Sequence, residues 1–192
     1  MGKLIYAALT SLDGYISDPT GNFDWAEPKE DVHRYMNSLE AQSTLNLYGR
    51  DMYRIMSFWE NPPDIETLPD YIREYAAAWK GSRKIVFSST MESVETANTL
   101  LRRSLDRKEI ELMKKQESGN IGLGGANLAS QVFDLGLVDE IYLFIFPVCI
   151  GAGKKWIHNK NPLSLKLLET KEFRDGVMMA HYRCVLEEAK EG

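Results

Sequence analysis

Three times in this chain a short apolar run ends on glycine or hydroxyl residues where a helix or turn begins. Thr44 to Tyr48 meets Gly49-Arg50, Lys84 to Phe87 meets Ser88-Ser89-Thr90, and Asn120 to Leu123 meets Gly124-Gly125. Strand-like runs separated by helical ones follow one another along most of the chain. They predict βαβ crossovers, hence an α/β protein with a mostly parallel central sheet and helices on both faces.

The rest of the chain fits that frame. Leu4 to Leu9 is continuously apolar, as expected of a strand covered on both sides. Ser11 to Glu27 is a polar loop, and a helix beginning near Pro28 places Val32, Tyr35, Met36 and Leu39 on one face. A second helix runs from Gly49-Arg50 to about Met56, and Asn61-Pro62-Pro63 breaks the chain. Ile72, Tyr75 and Trp79 share a helical face. Ser104 is the predicted cap of a helix carrying Leu105, Ile110 and Met113. A further helix holds Leu128, Val132 and Leu135 on one side and closes at Gly136. Val138 to Pro147 is the strongest strand, and Gly151-Ala152-Gly153 is a loop. Met178, Ala180, Tyr182, Cys184 and Leu186 form one face of a late strand, which predicts antiparallel strands added at one C-terminal edge. A single domain over residues 1–192 is expected from the length.

Lys and Arg number 23 against 28 Asp and Glu, a net charge of −5, which argues against a nucleic-acid binder working through a global positive field. A local basic pocket for a phosphate remains compatible with it. The run from Ile141 to Ile150 contains Pro147 and is too short to span a bilayer. The N-terminal run lacks a basic-then-apolar signal pattern, so a cytoplasmic location is expected. Cys149 and Cys184 lie in apolar runs and are expected to be buried free thiols. His33, His158 and His181 have no metal-ligand spacing and are expected at surface or half-buried positions, so no metal is expected. GxSxG is absent.

In open α/β sheets, ligands bind where strands hand over to helices at their carboxyl ends. Tyr48-Gly49-Arg50 offers close backbone approach and a planar cation, which suits a phosphate. The alternative is a glycine turn followed by a solvated arginine. Ser88, Ser89 and Thr90 can hydrogen-bond a phosphate or ribose, or simply close a turn. Gly124-Gly125-Ala126-Asn127 can bring backbone amides against a pyrophosphate, or can serve helix–strand packing; it is not a GxGxxG fingerprint. Asp13-Gly14 is a turn signal or a carboxylate beside a reaction centre. Glu30 and Asp31 complement a helix dipole, or anchor an amidine-like heterocycle that Trp25 could cover.

Taken together, these stretches resemble the dihydrofolate reductase-like superfamily, in particular the reductase domain of the bifunctional deaminase–reductases of riboflavin biosynthesis. The matching segments are Ala7 to Ile16, Tyr48 to Tyr53, Lys84 to Thr90, Gly124 to Leu128 and Leu135 to Gly153, in the family's order over almost the whole chain. The resemblance implies a three-layer α/β/α fold and an NADPH-dependent reductase acting on a C=N or C=O bond of a pterin- or pyrimidine-like substrate. The riboflavin-pathway uracil reductases and the folate reductases are the two types. A non-catalytic NADP-binding or sensor protein is the alternative. It further implies that Gly49, Arg50 and Met52 hold cofactor phosphates and that Ser88, Ser89 and Thr90 meet the adenosine 2′-phosphate side. Gly124, Gly125, Ala126, Asn127 and Leu128 would carry the pyrophosphate and nicotinamide end, with a cis peptide at Gly124-Gly125. The nicotinamide would lie near Ala8. Substrate would meet Trp25, Val32, Tyr35 and Tyr53, with Asp31 orienting it and Asp13 or a water on the proton route. A homodimer is implied by the family. The lysine that riboflavin-pathway members carry on the first strand is replaced by an apolar residue near Ala7.

Overall fold

In the computed structural model, which describes residues 1–185, the predicted alternation becomes one large sheet between two helical layers. The chain runs β1 (Leu4–Ser11), β2 (Tyr15–Ser17), α1 (Glu30–Glu40), β3 (Ser43–Gly49), α2 (Arg50–Met56), α3 (Asp70–Gly81), β4 (Arg83–Phe87), β5 (Thr99–Arg102), α4 (Arg107–Gln116), β6 (Asn120–Gly124), α5 (Ala126–Asp134), β7 (Glu140–Phe146), β8 (Lys154–Lys155), β9 (Ser164–Glu172) and β10 (Met178–Val185). Eight strands form the sheet in the order β5-β4-β3-β6-β1-β7-β10-β9. The first six in that order are mutually parallel. β10 runs antiparallel to β7, and β9 antiparallel to β10, so the edge addition lies where the late alternation put it. β2 and β8 form a separate two-stranded ribbon. No helix among the described residues is long and apolar enough to cross a membrane.

Register assigns the faces, because side chains alternate sides along each strand. Leu4, Tyr6 and Ala8 share one face with Leu45, Leu47, Ile121 and Leu123, and pack under Ile110 of α4 and Leu128, Ala129 and Val132 of α5. Leu4, Leu47, Ile110, Ile121 and Val132 have no exposed surface at all. Each such side chain contributes about 1.5–3 kcal/mol relative to exposure. The opposite face holds two separate clusters. One lies under α1 and joins Val32, Tyr142, Phe144, Phe146 and Met179. The other joins Tyr48 and Val86 to Tyr53 and Met56 of α2 and Trp79 of α3.

Several expectations are corrected. α4 is capped by Asp106, not Ser104: the Asp106 carboxylate accepts from the N–H groups of Lys108 at 2.8 Å and Glu109 at 3.1 Å, satisfying two of the helix's free donors. β1 is covered on its second face at Ile5 and Leu9, which pack against the cluster under α1, but not at Ala7, which is exposed. Cys149 is exposed and Cys184 half-buried; both are free. Cys149 lies beyond the end of β7, where the chain has left the sheet. His33 is buried, because the rings of Trp59, Tyr71 and Tyr75 enclose it at centroid distances of 6.3, 5.2 and 5.4 Å. Leu186 lies outside the described residues.

Candidate functional site

β4, β3 and β6 are adjacent and parallel, so the three glycine- or hydroxyl-bearing junctions open at the same sheet edge. Each is shaped by its own residues. At the end of β3, Gly49 begins α2 with no side-chain cap. Arg50 then reaches sideways: its Nε lies 2.9 Å from Asp51 Oδ1, and its Nη1 donates to Thr90 Oγ1 at 3.0 Å. At the end of β4, the Ser88 hydroxyl accepts from the N–H of Met91 at 3.0 Å and of Thr90 at 3.3 Å, folding the loop back and leaving Ser89 and Thr90 exposed.

The glycine pair after β6 is sterically required. A Cβ on Gly124 would stand 2.6 Å from the Tyr48 ring, and one on Gly125 would stand 3.0 Å from Met52 Cβ. Gly125 also has φ +97°, a region L side chains rarely adopt. The expected cis peptide at Gly124-Gly125 is not formed, and no cis bond occurs among the described residues. The left-handed conformation of Gly125 makes the bend instead, and α5 starts there without a side-chain cap.

A groove of about 330 Å³ runs along these junctions, in the usual size range of ligand pockets. Gly49, Arg50, Met52, Ser88, Ser89, Thr90, Gly125, Asn127 and Leu128 line it together. Arg103, Ser104, Leu105, Gln131 and Lys154 also line it. Arg103 and Leu105 carried no motif, because they reach the groove only through the pairing of β5 with β4.

Other expected residues lie elsewhere. Ala8 is buried in the core beneath α5, and Ala126 is fully buried at the start of that helix. The residue of β1 that faces out is Ala7. Register places it beside Tyr142, and one step beyond the Tyr6–Leu123 pair it lies beside Gly124, itself opposite Tyr48. Two small residues thus lie between two aromatic ones on the α1 side, with exposed Ala7 at the floor of the opening there, while Gly125, next to Gly124, lines the groove. Trp25 and Tyr35 border the cluster under α1, while Val32 is fully buried within it. The Trp25 Nε1 is buried without a partner among the described residues. Tyr53 is 3% exposed; its hydroxyl accepts from the N–H groups of Glu95 and Thr96 and faces a second cavity of about 540 Å³ shared with Glu60 and Met91.

The two aspartates join loops. Asp13 accepts from Ser11 Oγ at 2.6 Å, Gly151 N at 2.7 Å and Ile150 N at 3.2 Å; the Ser11 hydroxyl foremost holds its carboxyl below the usual range. Asp31 accepts from Arg174 N at 3.0 Å and Val32 N at 2.9 Å, and the Arg174 amide is the main cause of its lowered pKa. Neither lines the groove.

The fold defines the dihydrofolate reductase-like class of α/β proteins. Dihydrofolate reductase from Enterococcus faecalis, solved with NADP(H), superposes with a TM-score of 0.63 at 15% identity, covering 95% of this chain and 96% of the enzyme. Within that class the chain belongs to the RibD C-terminal domain family, whose pattern matches residues 2–179. A protein from Shewanella sp. PV-4 with a provisional riboflavin-biosynthesis name superposes with a TM-score of 0.76 at 19% identity, covering 96% of this chain and 99% of that one. The uncharacterized protein YyaP of Bacillus subtilis strain 168 is 29% identical over 184 residues, 94% of each chain.

Proposed function

We propose that this protein is an NADPH-dependent reductase acting on a C=N or C=O bond of a small heterocycle of pterin or pyrimidine type. The observation that carries the reading is the convergence of three junctions, far apart in sequence, on one groove containing a glycine cradle and Arg50. The residues fit a phosphorylated dinucleotide. A Cβ at Gly125 would fill the space beside Met52, and an arginine fork matches a terminal phosphate. Bound NADPH would supply hydride. The chain's own part is to bind, to orient and to exclude water. Gly125 and the uncapped start of α5 would receive phosphate oxygens, and Arg50 with Ser89 and Thr90 the 2′-phosphate. The opening over Ala7 would take the heterocycle. Ala7 also leaves that opening without the lysine that grips a sugar phosphate in riboflavin-pathway members, so a non-phosphorylated ring is the expected substrate.

One observation favours a second reading, a non-catalytic NADP-binding or sensor protein: Asp13 and Asp31 are both engaged by backbone amides, away from the groove. A thermal melt with NADPH, NADH or neither, followed by single-turnover NADPH oxidation with a panel of pterins and pyrimidines, tests both. Ligand at 100 times its Kd adds about 2.7 kcal/mol. A shift with no oxidation across the panel supports the sensor, and no shift with either nucleotide removes both readings.

A further inference from the structure

The groove contains a cation that no sequence motif marked. Lys154 belongs to β8, which pairs with β2 in the register Ser17–Lys154. The position is enforced by the preceding residue. Gly153 has φ +146°, and a Cβ there would overlap the Ser17 carbonyl oxygen, so only glycine lets this strand press against β2. The following residues lock the segment from the other side. Trp156 N donates to Gly14 O at 3.2 Å, the Tyr6 hydroxyl donates to Trp156 O at 2.7 Å, and the Trp156 ring stacks on Tyr6 at 6.2 Å.

The Lys154 backbone is therefore fixed, and its side chain forms part of the groove wall. Yet its ammonium has no hydrogen bond or ion pair with any described residue. The groove's other cations are engaged: Arg50 with Asp51 and Thr90, and Arg103 with the carbonyls of Met91 and Glu92. A half-buried lysine on a rigid backbone, facing a groove and lacking an internal carboxylate, is arranged for an external anion.

Topology identifies which part of the ligand it meets. Thr90 follows β4, Arg50 follows β3 and Gly125 follows β6, in that order along the sheet edge. Lys154 comes from the ribbon on the far side, attached at β1. That ribbon packs against β1, the strand next to β6, whereas Ser89 and Thr90 follow β4 at the other end of this order. On the dinucleotide reading above, we propose that Lys154 binds the diphosphate bridge of the cofactor and so does not discriminate between phosphorylated and non-phosphorylated forms.

Titration of NADPH and NADH by isothermal calorimetry into wild type, K154Q, K154R and R50A tests this. Removing the charge at Lys154 should weaken both nucleotides by roughly tenfold and leave their affinity ratio unchanged, with K154R restoring most of it. R50A should instead change the ratio. The ligand-free melt of K154Q should match wild type, since the ammonium bonds to no described residue. Unchanged affinity in K154Q overturns the proposal while leaving the dinucleotide reading intact, and so does a loss confined to NADPH. If wild type binds neither nucleotide, that reading fails and the assignment of Lys154 fails with it.

Discussion

Arg50 Nη1 donates to the Thr90 hydroxyl at 3.0 Å, linking residues 40 positions apart across the mouth of the groove. The guanidinium is thereby aimed along the loop after β4 rather than left free in solvent. Replacing Arg50 with alanine is expected to lower NADPH affinity by about 10–100-fold, the effect of losing a charged hydrogen-bond donor. NADH, lacking the extra phosphate, should change far less. Competitive titration of the two nucleotides checks it; equal losses would place Arg50 elsewhere on the ligand.

Two glycines in the same groove should respond unequally to alanine. Gly125→Ala meets Met52 at 3.0 Å and needs φ +97°, so a cost of about 1–3 kcal/mol is expected in urea unfolding, together with loss of nucleotide binding. Gly49 has φ −75°, and its Cβ would meet only Leu128, at an ordinary 3.5 Å. Gly49→Ala should cost no more than about 1 kcal/mol, because the poorer helix N-cap is partly offset by restriction of the unfolded chain.

Ala7 offers a way to separate function from folding. Its side chain is exposed in the middle of the sheet, so Ala7→Leu should change stability by no more than about 0.5 kcal/mol. If the opening above it admits the heterocycle, the same change should cut kcat/KM by at least roughly tenfold through steric exclusion. Full turnover in Ala7→Leu would show that the substrate binds elsewhere.

Acid sensitivity is expected from His33. Burial among Trp59, Tyr71 and Tyr75 holds its pKa below the ordinary value, only partly offset by its hydrogen bond with Asn37 at 3.0 Å. The unfolded chain therefore takes up a proton first as pH falls. The stabilisation from neutral His33 is complete above the unfolded pKa of about 6.5 and is lost as pH drops toward the folded value. Tm should fall between pH 7.5 and 5.5 in wild type. In His33→Phe, which keeps a ring and removes the titration, the fall should be smaller; an identical pH profile would reject the assignment.

The sheet, its parallel majority and its antiparallel edge were legible because apolar runs and helical periodicities coincide with β1, β3, β6, β7, α1 and α5. β5 and β9 were not. β5 has only four residues with Leu100 54% exposed, and β9 is an edge strand whose residues after Ser164 are all exposed, so burial imprints no pattern on either. The face of β1 was also illegible. In a run as uniformly apolar as Leu4 to Leu9, nothing distinguishes buried Ala8 from exposed Ala7 until pairing with β6 and β7 sets the parity. The Asp13 and Asp31 carboxylates could be recognised as candidates, but their partners Gly151 and Arg174 are backbone amides far away in sequence and carry no side-chain signature.

By itself the sequence determined the local events: where strands stop, where glycine is needed and which helices begin beside a cation or a hydroxyl. Those are short-range properties, governed by backbone sterics and side-chain type within a few residues. That β4, β3 and β6 lie side by side, bringing residues 49, 90 and 125 to one groove and Lys154 to its far end, was decided only by tertiary structure. Strand order is a long-range choice, made by burying the faces of the whole sheet at once, and no segment of the chain specifies it alone.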